Sequence, residues 1–222
     1  MDTRAPRVAP LLVAAVALAL GLVWLAPGPG TLALVAAAVL LPGRWWRWRT
    51  RRFRRGLRHL RRGEWPAARA ELERFLREIE DDRLFARAQP LLNLGRSYSY
   101  RAAALSNLGV ADLGAGAPSD ALRHFREALD SDPRFVQAMY GCAAALRLED
   151  RLAEAEQWAL RVLEARPGYT AARILLGLVR RDLGDTAGAR EALAPLEARG
   201  ENAENLLAEL RAQWPAPGES RS

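Results

Sequence analysis

The stretch LSNLGVADLGAGAPSDALRHFREALDSDP, residues 105–133, decides the fold because its pattern returns further along the chain at a spacing of 34 residues. Six columns of small, apolar or proline residues show this period. They are Leu108/Cys142/Leu176, Gly109/Ala143/Gly177, Ala121/Ala155/Ala189, Phe125/Ala159/Leu193, Ala128/Val162/Leu196 and Pro133/Pro167. A fixed period of this length predicts stacked helical hairpins, because each hairpin buries its apolar face only against a neighbour.

The pattern resembles the tetratricopeptide repeat, which has a Leu-Gly/Ala pair, a later Ala, an aromatic or apolar residue four positions on, and Pro near its end. The resemblance implies an all-α solenoid with three units in residues 102–203, at 102–135, 136–169 and 170–203. The last unit departs from the pattern. Arg173 replaces a bulky residue, Pro195 is expected to interrupt the second helix, and Glu201 stands where Pro is usual.

Weaker signals flank these units. A degenerate first repeat is predicted at 49–82, followed by an insertion at 83–101, so that the region 63–101 holds the rest of this repeat and the insertion. It matches the columns through Gly56, Gly63, Ala68, Leu72 and Phe75. Its first helix would be the basic stretch before it, with Phe53, Leu57 and Leu60 packing on Leu72 and Phe75. After the repeats, Leu206, Leu207, Leu210 and Trp214 predict a capping helix at 204–214, and residues 215–222 should be disordered.

The charge is strongly divided along the chain. Residues 44–62, RWWRWRTRRFRRGLRHLRR, carry ten arginines and no acid, which predicts a basic juxtamembrane helix. Residues 1–62 hold 12 basic against 1 acidic residue, a net +11, whereas residues 63–222 hold 21 against 25, a net −4. Positive charge confined beside an apolar block favours an anionic membrane surface over nucleic acid.

The first 43 residues are predicted to form a membrane anchor. Residues 8–26 are 19 uncharged residues, close to the length that spans a bilayer, and PGPG at 27–30 separates them from a second segment at 29–46. A helical hairpin is favoured over one span with a re-entrant segment. The membrane-interface residues would be Arg44, Trp45, Trp46, Arg47, Trp48 and Arg49. The arginine asymmetry predicts an integral protein of the inner or plasma membrane with its repeats on the cytoplasmic face.

Three other functions remain open from the sequence. Residues 1–26 imitate a secretory signal peptide, which would make this a periplasm-facing protein of envelope assembly. Against this, the apolar run is long and no A-x-A-like cleavage site precedes a polar start. The second alternative is a membrane-surface lipid-binding module whose repeats oligomerise. The third is nucleic-acid binding by the Arg/Trp stretch, which the position of that stretch disfavours.

No arrangement of residues points to catalysis. Cys142 is the only cysteine and shares a column with Leu108 and Leu176, so it is expected to pack as an apolar residue. The two histidines have no other His or Cys at ligand spacing. The sequence therefore predicts a non-enzymatic, bacterial-type scaffold that uses no metal or cofactor, with a protein or peptide ligand and a possible homo-oligomer.

The resemblance implies a binding groove lined by the first helix of each unit. Carried over position by position, its residues are Ala103, Ser106, Val110 and Leu113, then Gln137, Tyr140, Ala144 and Arg147, then Ala171, Ile174, Leu178 and Arg181. The central column Val110/Ala144/Leu178 lacks the basic and Asn residues with which chaperone-binding relatives clamp a carboxylate. We expect apolar anchors in the ligand, with an acidic residue near Arg147 and Arg181 unless these two merely face solvent.

Overall fold

The computed structural model describes residues 43–80 and 99–198, together with Gly28, Leu40, Leu41, Asp82, Phe85 and Asn205. The predicted spans, the insertion, the capping helix and the tail lie wholly or largely outside these residues. The helices are α1 (Arg51–Arg61), α2 (Trp65–Glu80), α3 (Tyr100–Gly114), α4 (Pro118–Ser131), α5 (Val136–Leu148), α6 (Leu152–Ala165), α7 (Thr170–Asp182) and α8 (Thr186–Glu197).

Consecutive helices pair as four hairpins, α1/α2, α3/α4, α5/α6 and α7/α8. The second helix of each hairpin packs on the first helix of the next, and the first helices α1, α3, α5 and α7 also contact one another in order. Each hairpin thus buries its apolar face only between neighbours. Over residues 43–80 and 99–198, the predicted all-α solenoid is confirmed.

The turn inside each hairpin repeats the same backbone conformation. Gly63, Gly116 and Gly184 have φ of 70°, 79° and 83°, and Asp150 has φ of 60°. Gly116, Asp150 and Gly184 are one period apart, while Gly63 precedes Gly116 by one period plus the 19 residues of the predicted insertion. Because this left-handed region is costly for most side chains, glycine recurs there. The first hairpin therefore closes like the others despite its divergent sequence.

The two helices of a hairpin approach most closely at one repeated pair of positions. A Cβ added to Gly56 would lie 2.7 Å from Cγ of Leu72, one on Gly109 would lie 2.7 Å from the ring of Phe125, and one on Gly177 would lie 3.0 Å from Cγ of Leu193. In the third hairpin the same pair is Ala143 and Ala159, both fully buried. A small residue on the first helix thus makes room for the second helix.

The basic stretch before α1 is attached to the first hairpin. Residues 43–49 are helical and continue into α1 across Thr50, whose N–H donates to the carbonyl of Trp46 at 2.9 Å. The Trp46 ring stacks on Phe85 at a centroid distance of 4.9 Å and meets Tyr100 edge-on at 5.3 Å. Phe53 packs on Phe75 at 5.4 Å, as its spacing predicts.

Helix α8 does not follow the expectation for the last unit. It runs through Pro195 to Glu197 rather than breaking at the proline. Because Pro195 lies in the last turn, its missing N–H removes one hydrogen bond and little helix has to continue past it.

The predicted membrane hairpin lies mostly beyond the described ranges. Within the part of the chain that the structure describes, no helix is both long enough and apolar enough to cross a bilayer. Leu40 and Leu41 are helical and 61% and 60% exposed, just before the basic stretch.

Candidate functional site

A cleft of about 490 Å³ opens where the first helices of three hairpins lie side by side. Its walls come from α1, α3 and α5, with one residue of α4 and the residues that precede α5 and α7. The lining residues are Phe53, Leu57, Ala103, Ser106, Asn107, Val110, Leu113, Phe125, Phe135, Gln137, Tyr140, Gly141, Ala144 and Tyr169. The cleft is within the usual size of a ligand site.

Phe125 contributes to this cleft from the second helix of its hairpin. Its ring lies against the backbones of both α3 and α5, because a Cβ on Gly109 or on Gly141 would overlap it. The ring is 1% exposed. Two glycines on different helices thus let an aromatic ring reach the cleft between them.

Seven of the twelve groove residues that the sequence predicts line this cleft. Ser106, Val110 and Leu113 come from α3, and Gln137 and Tyr140 come from α5. Ala103 and Ala144, predicted from the same columns, lie beside them. Val110 is 38% exposed and Gln137 is exposed, so the cleft is open to a partner.

The third-unit residues lie elsewhere. Ile174 and Leu178 are buried in a cluster with Leu193 and Leu196, because this side of α7 packs against α8. Arg181 is exposed, and neither it nor Ala171 lines the cleft. Among the described residues, none of the third unit lines the cleft, and the nearest lining residue is Tyr169, the last residue of the second unit.

Arg147 occupies its predicted groove column but points into the protein. Its side chain is 1% exposed, and its Nε donates to Oδ2 of Asp182 at 2.7 Å. This ion pair joins α5 to the end of α7. The carboxylate that the sequence prediction assigned to a ligand is therefore supplied to Arg147 by the chain itself.

The prediction missed seven lining residues, and the repeat contained a signal for most of them. Phe53 and Leu57 occupy, in the degenerate unit, the positions of Ser106 and Val110. The others are Phe125 and two pairs one period apart, Asn107/Gly141 and Phe135/Tyr169. Extending the groove columns to the first unit would have found Phe53 and Leu57, and extending them by one residue around the helix would have found Asn107/Gly141. The pair Phe135/Tyr169 lies two residues before the first column, ahead of α5 and α7.

Among the described residues that line the cleft, none has a charged side chain. Its polar groups are neutral hydroxyls and amides, and Asn107 spends Nδ2 on the carbonyl of Ala103 at 2.7 Å. Burial raises the pKa of Tyr140 and that of Tyr169, whose rings are 5.6 Å apart, so both hydroxyls stay protonated at neutral pH. The cleft thus offers apolar surface with a few uncharged hydrogen-bonding groups.

The six predicted membrane-interface residues fall into two groups. Arg44, Arg47 and Trp48 are exposed, whereas Trp45, Trp46 and Arg49 are half-buried against the first hairpin. Nη2 of Arg49 lies 2.6 Å from Oδ2 of Asp82. Half of the set is therefore held by the repeat array and half faces outward.

Comparison with known proteins finds a family match to part of the chain and solved structures of low sequence identity. Residues 106–170 match the family model described as tetratricopeptide repeat. The second TPR domain of the human RPAP3 protein, determined with an HSP70 peptide, is 19% identical with a TM-score of 0.47, and the match covers 58% of this chain and 92% of that one. A crystal structure of MamA protein is 14% identical with a TM-score of 0.41, and the match covers 78% of this chain and 99% of that one. No curated protein sequence matches the chain. The family match supports the resemblance read from the 34-residue columns.

Proposed function

We propose that the cleft holds an uncharged, apolar segment of a partner protein, so that this protein acts as an interaction scaffold. The observation that carries the proposal is the open, charge-free lining shared by three hairpins. An unpaired charge buried there would cost several kcal/mol, which favours an apolar occupant. Tetratricopeptide repeats mediate protein–protein interactions, and the family match at 106–170 agrees with this role.

The shape of the lining favours a peptide segment. Leu57, Val110 and Ala144 stand at the same position on α1, α3 and α5, so they form a row across the cleft. A helix or extended segment presents side chains at regular intervals and can place one against each such position.

Two exposed glutamines allow a direct test. A photo-crosslinking amino acid at Gln137, in the cleft, should capture a protein that the same group at Gln157, exposed on α6, does not. A synthetic peptide covering the crosslinked segment should then bind the purified full-length protein. Equal capture from both positions would contradict the proposal, and capture of a second copy would assign the cleft to self-association.

Two residues of equal exposure supply the control. Val110 lies in the cleft and Leu160 lies on α6, and each is 38% exposed. Val110→Arg should abolish the crosslink from position 137 because it buries a charge in the interface, whereas Leu160→Arg should leave it intact. Both variants should keep the thermal midpoint of the parent, so lost capture reports lost binding.

We further propose that the N-terminal segment anchors the repeats at the cytoplasmic face of the inner membrane. The uncharged run at 8–26 and the exposed Leu40 and Leu41 before the basic stretch support it. Protease added to intact spheroplasts should leave the repeats uncut and should digest them after lysis. Digestion of the repeats from outside would instead favour a periplasm-facing protein.

A further inference from the structure

The fold divides the arginines of the basic stretch into two groups. Arg49 and Arg52 face α2, where Glu71, Glu78 and Asp82 neutralise them. Their side chains are only 12% and 23% exposed. Hydrogen bonding to Glu78 raises the pKa of Arg52. These two cations belong to the repeat array.

The remaining arginines of residues 43–61 lie on the other side of the same helix. Within the described residues none of them forms an ion pair with an acid. They are Arg44, Arg47, Arg51, Arg54, Arg55, Arg58 and Arg61, and we call them the bare arginine face. At about 100° per residue they fall within an arc of about 120°, along roughly 27 Å of helix. The face is thus one strip of positive charge that continues from residues 43–49 into α1 across Thr50.

Apolar groups of the kind found at a bilayer surface adjoin this strip. Trp48 is 54% exposed at the edge of the arc, and the Arg51 guanidinium lies 4.9 Å from the centroid of its ring. Leu40 and Leu41, which are helical and also exposed, precede residues 43–49 in the chain. Tryptophan and arginine together are typical of the headgroup region, where the ring is half solvated and the guanidinium meets phosphate.

We infer that the bare arginine face binds the phosphate groups of an anionic phospholipid bilayer, with the helix lying along the surface. Guanidinium groups fit phosphate oxygens in pairs, and each basic residue near an anionic surface adds about fivefold to the affinity. Residues 63–222 carry a net −4, so the rest of the chain is repelled from the same surface. This binding is independent of the cleft.

The neighbouring sequence selects lipid over other anions. A nucleic acid or an acidic peptide would account for the arginines. Neither would account for the exposed Leu40 and Leu41 or for the uncharged residues 8–41 that precede the helix. A bilayer accounts for the charge, the indole ring and the apolar run together.

The test uses the full chain in nanodiscs of phosphatidylcholine with and without phosphatidylglycerol. Cys142 is the only cysteine and is buried, so an environment-sensitive fluorophore can be placed on Arg55→Cys, with Gln157→Cys on α6 as the control position. Phosphatidylglycerol should shift the emission at position 55 to the blue and leave position 157 unchanged. No shift at position 55 would overturn the inference.

Charge variants identify the residues responsible. The variant R47Q/R51Q/R54Q/R58Q should lower the affinity for the anionic surface several hundredfold and abolish the shift. The matched variant R126Q/R134Q/R161Q/R190Q, made at exposed arginines elsewhere, should retain it. A shift that survives the first variant overturns the inference, as does one that an oligonucleotide or poly-glutamate causes in neutral discs while phosphatidylglycerol does not. Crosslinking from Gln137 should persist in both variants, which separates this result from a failure of the cleft.

Discussion

The interfaces at the two ends of the solenoid carry opposite charges at the same two positions of the repeat. Between the first and second hairpins, Nη1 of Arg69 lies 2.7 Å from Oδ1 of Asp112. Between the third and fourth, Nε of Arg180 lies 2.7 Å from Oε1 of Glu156. At the central interface the corresponding residues are Leu122 and Leu146, which are 4% and 0% exposed.

This difference in residue type indicates different roles: the central interface stabilises the array, and the two outer interfaces specify the order of the units. The central interface is apolar and adjoins the cleft, whereas the outer ones combine apolar packing with an ion pair. In the first ion pair the arginine lies on the second helix of its hairpin, and in the last ion pair it lies on the first helix. Packing α2 against α7 would therefore bring Arg69 next to Arg180. Like charges at such a contact discriminate against a wrong neighbour.

The largest effect is expected at the centre. Leu146→Ala removes a fully buried side chain and should lower the free energy of unfolding by about 3 kcal/mol, because the cavity cannot fully collapse. Urea unfolding followed by circular dichroism measures this. Leu160→Ala, at a residue 38% exposed, should cost far less. Equal losses for the two variants would contradict the special role of the central interface.

A smaller loss should follow at the first interface. Asp112 is 1% exposed and has two partners. Its Oδ1 pairs with Arg69, and its Oδ2 lies 2.6 Å from Nδ1 of His124. Asp112→Asn keeps the shape but weakens the bonds to Arg69 and His124, which should cost about 2 kcal/mol in urea unfolding. Asp120→Asn, an exposed carboxylate paired with Arg123, should cost a few tenths. If Asp112→Asn leaves the free energy of unfolding unchanged, Asp112 adds nothing to the stability of the interface.

Alkaline pH should lower the free energy of unfolding through Cys142, which lies on α5 at the central interface. Burial raises the pKa of Cys142 to about 12, so the folded protein keeps a proton that the unfolded chain loses. This contribution is complete below pH about 9 and falls by about 1.4 kcal/mol per pH unit between there and pH about 12. Urea midpoints at pH 8 and 10 should differ more in the wild type than in Cys142→Ala. An identical difference in both would assign the loss to other groups.

The smallest effect concerns charge order. Glu156→Arg opposes two arginines at the last interface and should cost about 1 kcal/mol, since the side chains of Arg180 and Glu156 are 19% and 28% exposed. The double variant E156R/R180E restores attraction with reversed polarity and should recover most of the loss in the same urea assay. If each single change and the pair are additive, the charges do not interact across this interface.

The repeat could be predicted because it depends on side-chain size at positions that recur at a fixed interval. The Gly109 and Gly177 columns require close approach wherever a hairpin forms, and the turn at Gly63 follows the same rule even in a divergent unit. Such local constraints repeat with the sequence, so the columns of one unit predict the backbone of the next.

The parts that escaped prediction depend on contacts between units. Arg147 reads as a solvent-facing residue of its helix until Asp182, 35 residues away, is seen to lie beside it. Trp46 reads as a headgroup anchor, but Phe85 and Tyr100 stack around it. None of these three partners follows from the period, because Phe85 and Tyr100 lie in the insertion and Asp182 lies in the atypical last unit.

The helical connection from residue 43 through α1 has a mechanical consequence. Thr50 keeps the backbone hydrogen-bonded on both sides, while Trp46 stacks on Phe85 and Arg49 pairs with Glu78 of α2 and with Asp82. No slack therefore separates Gly43 from the first hairpin. A tilt or pull applied at Gly43 is therefore transmitted to the cleft wall that carries Phe53 and Leu57, because no flexible linker lies between them.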